Sequence, residues 1–248
     1  MHRLFISDLH LSEDTPAIEA ALVALLAREK ELDALIILGD FFEAWGGDDD
    51  DAPLADRVRS QLLAFSRRGC EIFVARGNRD FMLGEQFASD IDGILLQDET
   101  VMEVAGRPTL LLHGDTLCTD DVDYQQFRTL VHDPAWQTEM MAKPLEARRE
   151  LARQLREISV DAASNKPEDI MDVNQAAVEQ RLQAASVDRI VHGHTHRPAR
   201  HAVGSGERIV LGDWTTEKGW YLRERGNDLS LDSFTIRCGA HMEPRYET

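Results

Sequence analysis

Five short strings in this 248-residue chain carry side chains able to ligate metals or move protons: Asp8-Leu9-His10, Gly39-Asp40, Gly77-Asn78-Arg79-Asp80, His113-Gly114-Asp115 and His192-Gly193-His194-Thr195-His196. Singly each is weak, because an aspartate after a strand is ordinarily a turn or cap residue. Jointly, Asp8, His10, Asp40, Asn78, His113, His192 and His194 offer two carboxylates, one amide oxygen and four imidazoles. Such a mixed set can hold two divalent cations of the manganese, zinc or iron kind, whereas magnesium and calcium favour all-oxygen shells. Two cations about 3.5–4 Å apart, sharing a carboxylate, form a clamp for phosphorus chemistry. One lowers the pKa of bound water, and both neutralise charge on phosphate oxygens.

These donors need elements that bring them together. Arg3–Ser7, Ala34–Leu38, Glu71–Ala75, Thr109–Leu112 and Ile190-Val191 read as buried strands, and each runs into one of the five strings. In open α/β sheets, sites form at the carboxyl ends of strands, where glycine lets backbone and ligand approach closely. Thr15-Pro16 starts a helix with Ile18, Leu22, Leu25 and Leu26 at helical spacing, and a second helix spans about Leu54–Arg68. The first three strands alternate with helices and so predict parallel pairing. The later ones (Ala202–Val203, Ile209–Leu211, Trp220–Arg223, Leu229–Phe234) are β-rich, which favours a two-sheet α/β sandwich flanked by helices. From Asp120 to Ala185 the pattern is wholly helical and punctuated by prolines 134, 144 and 167. It predicts an inserted cap of three helices at 120–185 between core segments 1–119 and 186–248.

Composition removes other classes. At 43% hydrophobic the chain can bury a sizeable core. Its apolar runs, Ala34–Leu38 and the longer Ala20–Ala27 among them, are far too short to span a membrane, and Asp8 and His10 interrupt any secretory signal. Three scattered cysteines, Cys70, Cys118 and Cys238, fit a reducing cytosol rather than a disulfide framework. A net charge of −18 argues against a nucleic-acid partner, which needs clustered Lys and Arg. An anionic substrate would then need metal cations or a local basic patch. With the chain divided at residues 100, 142 and 166, residues 143–166, with six basic and four acidic side chains, are the one net-positive segment.

In this order the five strings resemble the calcineurin-like metallophosphoesterase superfamily, with its pattern DxH, GD, GN, GH or HGD, and GHxH. The longer strings LFISDLHLS, ILGDFFEAWGGDDD, GNRDFMLG, LLHGDTLCTDD, IMDVN and HGHTHRPA narrow it to the UDP-2,3-diacylglucosamine diphosphatase family of lipid A biosynthesis, over about residues 1–221. The resemblance implies hydrolysis of UDP-2,3-diacylglucosamine to UMP and 2,3-diacylglucosamine 1-phosphate with two Mn2+ per chain. It implies one cation on Asp8, His10, Asp40 and His194, and another on Asp40, Asn78, His113 and His192, with Asp40 bridging. Substrate contacts would fall on Asn78, Arg79, Asp121, Tyr124, Ser159, Lys166 and His192, and Ala163 removes one side-chain contact that relatives have. The implied setting is the cytoplasm, peripherally on the cytoplasmic face of the inner membrane, with no nucleic acid and no obligate protein partner.

Arg79 occupies the position where many phosphodiesterases of the superfamily place a histidine to protonate an alkoxide. An arginine cannot donate a proton near neutral pH. A diphosphate explains the difference: its leaving group is a phosphate monoester with a second pKa on the order of 6, which departs unaided. A guanidinium instead supplies charge to the phosphoryl oxygens. The catalytic set expected on this basis is Arg79, Asn78 and His113, with activated water attacking the α-phosphorus in line. A surface ion pair of Arg79 with Asp80 is the alternative.

The helix after Pro144 carries Leu151, Leu155 and Ile158 on one face and Arg149, Arg153 and Arg156 on another, with Arg148 at the edge. It reads either as a surface for anionic lipid or as an ordinary helix with a solvated charged side. Trp136, Met140 and Met141 could line an acyl groove or pack in the core. Asp115 is expected to cap or orient, His196 to support the ligands, Cys118 to be a buried structural thiol, and Asp48–Asp51 to be a solvated loop.

Overall fold

Period-two alternation in the central strands sends side chains to two different interiors. The structure, a computed structural model, describes residues 1–164 and 172–236, without the side chains of residues 157–164. Its elements are β1 (His2–Ile6), α1 (Pro16–Arg28), β2 (Ala34–Leu38), α2 (Pro53–Ser66), β3 (Glu71–Ala75), α3 (Glu85–Asp90), β4 (Ile94–Leu95), β5 (Glu99–Val104), β6 (Arg107–Leu112), α4 (Val122–Val131), α5 (Pro134–Met141), α6 (Leu145–Ser164), α7 (Gln175–Ala185), β7 (Arg189–His192), β8 (Ala199–Val203), β9 (Gly206–Val210), β10 (Lys218–Arg225) and β11 (Asp228–Thr235). One sheet runs β11-β10-β1-β2-β3-β4 and the other β5-β6-β7-β9-β8. β1 through β4 pair in parallel, as do β6, β7 and β9.

Phe5, Ile36, Leu38, Leu111, Val191, Ile209 and Leu222 meet between the sheets. Their neighbours Leu4, Ile6, Leu35, Ile37, Ile72 and Val74 point the other way, onto the apolar faces of α1 and α2 through Leu22, Leu25, Val58 and Leu62. On the outer face of the second sheet, Leu110, Leu112 and Ile190 pack against Val178 and Leu182 of α7. The result is a two-sheet α/β sandwich flanked by helices. Strands apolar on both faces are what a doubly covered parallel sheet requires.

The helical region departs from the sequence expectation in three ways. Among the described residues it holds four helices where three were expected, because Ala142, Lys143 and Pro144 separate α5 from α6 and α7 follows separately. The last of them, α7, packs on the sheet through Val178 and Leu182. The basic helix α6 is not a free cationic face either. Arg148, only 4% exposed, donates to Gly46 O at 2.6 Å and pairs with Asp49, while Arg149 donates to Asp50 at 2.5 Å and to Asp51 at 2.7 Å. The run Asp48–Asp51 is therefore a docking strip rather than a solvated loop. Asp48 itself accepts from the Gly84 and Phe87 amides at the start of α3 and from Trp45 Nε1. Trp136 of α5 adds an aromatic contact to Phe81, with ring centroids 6.0 Å apart.

Replacing Arg148 by methionine keeps bulk but strands the Gly46 carbonyl and unpairs Asp49. We expect a loss of about 1–2 kcal/mol in urea unfolding, with protease cutting appearing first in α5 and α6. Among the described residues, no helix is long and apolar enough to cross a membrane.

Candidate metal centre

The parallel register sets the carboxyl ends of β1, β2 and β3 side by side, with Ile6 opposite Ile37 and Leu38 opposite Ala75. The chain leaves each strand in a sharp reversal. Of the eight non-glycine residues with positive φ among the described residues, five are Asp8, His10, Asp40, His194 and His196. An L-residue adopts this left-handed backbone only where its surroundings enforce it, and such strain concentrates at functional sites. Here the loops enforce it on each other: Asp8 N donates to Gly39 O and His10 N to Asp40 O, both at 3.1 Å. Glycine is demanded where backbones crowd these carboxylates. A Cβ on Gly77 would overlap the Asp40 carboxylate, and one on Gly193 would overlap Asp8 and Ser7.

Asp8, Asp40 and His113 are buried, with ligand atoms all within 4.8 Å of one another. His113 donates through Nδ1 to Leu38 O at 2.9 Å, which turns its Nε2 to within 3.5 Å of Asp40 and 2.9 Å of Asn78 Oδ1. His194 Nδ1 meets the same amide oxygen at 2.7 Å. His192 donates Nδ1 to Gly193 O, leaving Nε2 buried without a hydrogen-bond partner. All seven donors read from the sequence thus come to one edge of the sandwich. The imidazole beside Asp8 and His10 is His196, whose Nε2 is 3.3 Å from both Asp8 Oδ1 and His10 Nε2, while its Nδ1 is 3.7 Å from Asp213. The His194 ring lies with Asn78 and His113, while its backbone amide donates to Asp8 at 3.0 Å.

The electrostatics fit cations. Burial, reinforced by the carboxylates of Asp80 and Asp8, pushes Asp40 up to about 7. Burial holds His10 down to about 2, His192 to about 3 and His194 to about 4, so these rings are neutral and keep a lone pair to give. Burial opposes charge on His113 too, but Asp40, Asp8 and Asp115 outweigh it and raise the ring to about 9. A set of crowded carboxylates, neutral imidazoles and an orphaned buried His192 Nε2 is the environment a divalent ion relieves.

Arg79 does not pair with Asp80. Its Nε lies 3.4 Å from Asp40 Oδ2, and its Nη1 donates to Glu43 at 2.5 Å. Asp80 is fully buried and accepts four backbone amides instead, those of Asp40, Phe41, Phe42 and Gly77. Sequence reading missed this role, although an aspartate three residues after a glycine at a strand end is a turn-capping signal. It missed Glu43 entirely. Asp121 accepts the Tyr124 amide at the start of α4, and Tyr124 stands over the His194 ring, its centroid 5.9 Å away. The Tyr124 hydroxyl and Arg128 both donate to buried Asp115, which orients α4 and does not join the ligand groups. Cys118 is buried, and burial pushes its thiol up to about 12, out of reach of nucleophilic chemistry. The Ser159 side chain and Lys166 lie outside the described residues, as do Ala163's side chain and Cys238.

Residues 1–198 match the calcineurin-like phosphoesterase family model. A UDP-2,3-diacylglucosamine hydrolase of Cellvibrio japonicus is 47% identical over 241 residues, covering 95% of this chain and 100% of that protein. A protein of the same name from Escherichia coli O7:K1 is 46% identical, covering 94% and 99%. Among solved structures, a Vps29 variant from Entamoeba histolytica superimposes with a TM-score of 0.51 at 15% identity over the whole of both chains, a likeness of fold.

Proposed function

Because the chain belongs to the calcineurin-like phosphoesterases and, within them, to the UDP-2,3-diacylglucosamine hydrolases, we propose that it hydrolyses the diphosphate of UDP-2,3-diacylglucosamine to UMP and 2,3-diacylglucosamine 1-phosphate. The observation that carries this reading is Arg79 beside buried Asp40: a fixed cation that cannot give up a proton near neutral pH faces the carboxylate we propose to be shared. That arrangement suits an anhydride, whose leaving phosphate needs charge neutralisation and no protonation.

Asp8, His10, Asp40, Asn78, His113, His192 and His194 would hold two Mn2+, with Asp40 shared between them. Bound there, the cations supply a nucleophilic water at neutral pH and neutralise phosphate charge. The chain does the rest. Arg79 hydrogen-bonds the phosphoryl oxygens and stabilises the charge that develops on them. Asn78, His113 and His192 line the same wall and fix the α-phosphorus for in-line attack. His196, between Asp8 and Asp213, orients Asp8. Asp121 and Tyr124 at the head of α4, with Ser159 and Lys166, would receive the sugar and its phosphate.

The cap of α4, α5 and α6 would receive the acyl chains. Val122, Leu130 and Met141, exposed at 59, 54 and 43%, support a peripheral seat on the cytoplasmic face of the inner membrane. Neither nucleic acid nor an obligate protein partner is part of this reading.

Hydrolysis in ¹⁸O water with Mn2+ tests it. Label should appear in UMP, and Arg79→Ala should lower kcat/KM by about a hundredfold. Arg79→Lys should recover little, since a point charge does not replace the bidentate fork. Label in the lipid phosphate, or no turnover by the native chain, sinks the proposal.

A further inference from the structure

Three segments distant in sequence converge on one carboxylate. Glu43 Oε2 accepts from Arg79 Nη1 at 2.5 Å and lies 3.5 Å from His10 Nδ1, while its Oε1 accepts from Arg156 Nε of α6. The carboxylate is itself fixed. Glu43 N donates to Leu11 O at 3.1 Å, and Phe42 bridges Leu11 in parallel, so the backbone carrying Glu43 is stitched to the loop that carries Asp8 and His10. All four groups are half-buried or better, with the Glu43 side chain 30% exposed.

We infer that Glu43 is a positioning residue that holds the Arg79 guanidinium in register with the metal centre and ties cap helix α6 to the same point. Two properties of the array lead there. An arginine side chain has many rotamers, and ordering it before substrate arrives removes that entropy from the binding step. The Arg79 Nε also stands 3.4 Å from Asp40 Oδ2, the carboxylate proposed to be shared between cations. Glu43 supplies a second carboxylate that draws the guanidinium outward and leaves Asp40 open. Glu43 gathers two guanidinium groups, those of Arg79 and Arg156, at one point, in keeping with a diphosphate arriving between β3 and α6. Through Arg156 the same carboxylate sets where the cap sits, independently of the Arg148 and Arg149 contacts to Asp49–Asp51.

This inference rests on the diphosphatase reading, and a double-mutant cycle separates the two. With Mn2+-loaded full-length protein and UDP-2,3-diacylglucosamine, Glu43→Ala should lower kcat by about tenfold and raise KM by about threefold. In the Arg79→Ala background the same change should leave kcat within about twofold, because the group it positions is gone. Arg156→Ala should raise KM with little effect on kcat and should hasten amide exchange across Leu145–Arg156, as Glu43→Ala does. Glu43→Gln keeps the shape of the side chain and loses its charge, and should fall between native and alanine; it carries the cycle if the alanine variant folds poorly. Additive losses of kcat in Glu43/Arg79 doubles, or native kinetics in Glu43→Ala, overturn the inference while the native chain still turns over substrate. A native chain with no turnover overturns the diphosphatase reading instead.

Discussion

Asp40→Asn should lose turnover by about three orders of magnitude or more, while its fold in chelator is at least as stable as native. The loss follows from Asp40 lying within reach of donors on both sides, 3.5 Å from His113 Nε2 and 4.0 Å from His10 Nδ1, as the carboxylate proposed to be shared. Removing the carboxylate proposed to be shared would deprive two cations of a ligand at once, and the metal's share of transition-state stabilisation would be several kcal/mol. The stability claim has the opposite sign. Burial and the carboxylates of Asp80 and Asp8 make an ionised Asp40 unfavourable in the folded chain, which is why it sits at about 7. A neutral amide removes that penalty. In EDTA the variant should melt at or above the native temperature. With Mn2+ the order should reverse, because only the native chain gains stability from tight binding.

Protonation adds a second readout. Cations need the deprotonated His113 ring and the ionised Asp40. Below about 9 binding therefore displaces a proton from His113, and below about 7 a second from Asp40. Affinity for Mn2+ should rise with pH, more steeply below 7 than between 7 and 9. Calorimetry in buffers of different ionisation enthalpy should count about one displaced proton at pH 8 and more than one at pH 6. Asp40→Asn should displace one fewer at pH 6. A variant that keeps native Mn2+ stoichiometry and proton release would refute the shared role of Asp40.

Features that depend on short spacing were legible in the sequence. Ala34–Leu38 is a strand to the residue because both its faces are buried, so its ends coincide with the ends of the apolar run, and Glu71–Ala75 closes where its apolar run closes although Glu71 is exposed. Edge strand β8 begins at Ala199, three residues earlier than its apolar pair suggests, because Arg200 and His201 are exposed and polar and give no hydrophobic signal. The seven donors were legible because each lies just past a strand end or, for His192, closes one. Glu43 was not, since it sits in the apolar string Phe41–Trp45 and its meaning comes from Arg156, 113 positions away. The Asp48–Asp51 run was misread for the same reason: its partners Arg148 and Arg149 are about a hundred residues distant, and charge alone does not tell a solvated strip from a paired one.

Asp80→Asn should destabilise the protein by about 3–5 kcal/mol, the largest stability loss we expect from a single change outside the apolar core. Each carboxylate oxygen takes two backbone amides. Oδ1 accepts Gly77 N at 2.7 Å and Asp40 N at 3.2 Å, and Oδ2 accepts Phe41 N at 2.8 Å and Phe42 N at 3.2 Å. Only a carboxylate presents two acceptor oxygens. Asparagine keeps one and turns an NH2 group against two N–H donors, so the near-isosteric change leaves buried amides unpaired and opposed. Alanine removes the opposition but still strands all four amides, and should cost about as much. The amides concerned belong to the turns that carry Asp40 and Asn78, so part of the loss should appear as weakened Mn2+ binding before global unfolding. Urea titrations with and without Mn2+ separate the two effects. If Asp80→Asn unfolds within about 1 kcal/mol of native, something other than the Asp80 carboxylate holds these turns, and the metal-bearing loops keep their strained backbone by other contacts.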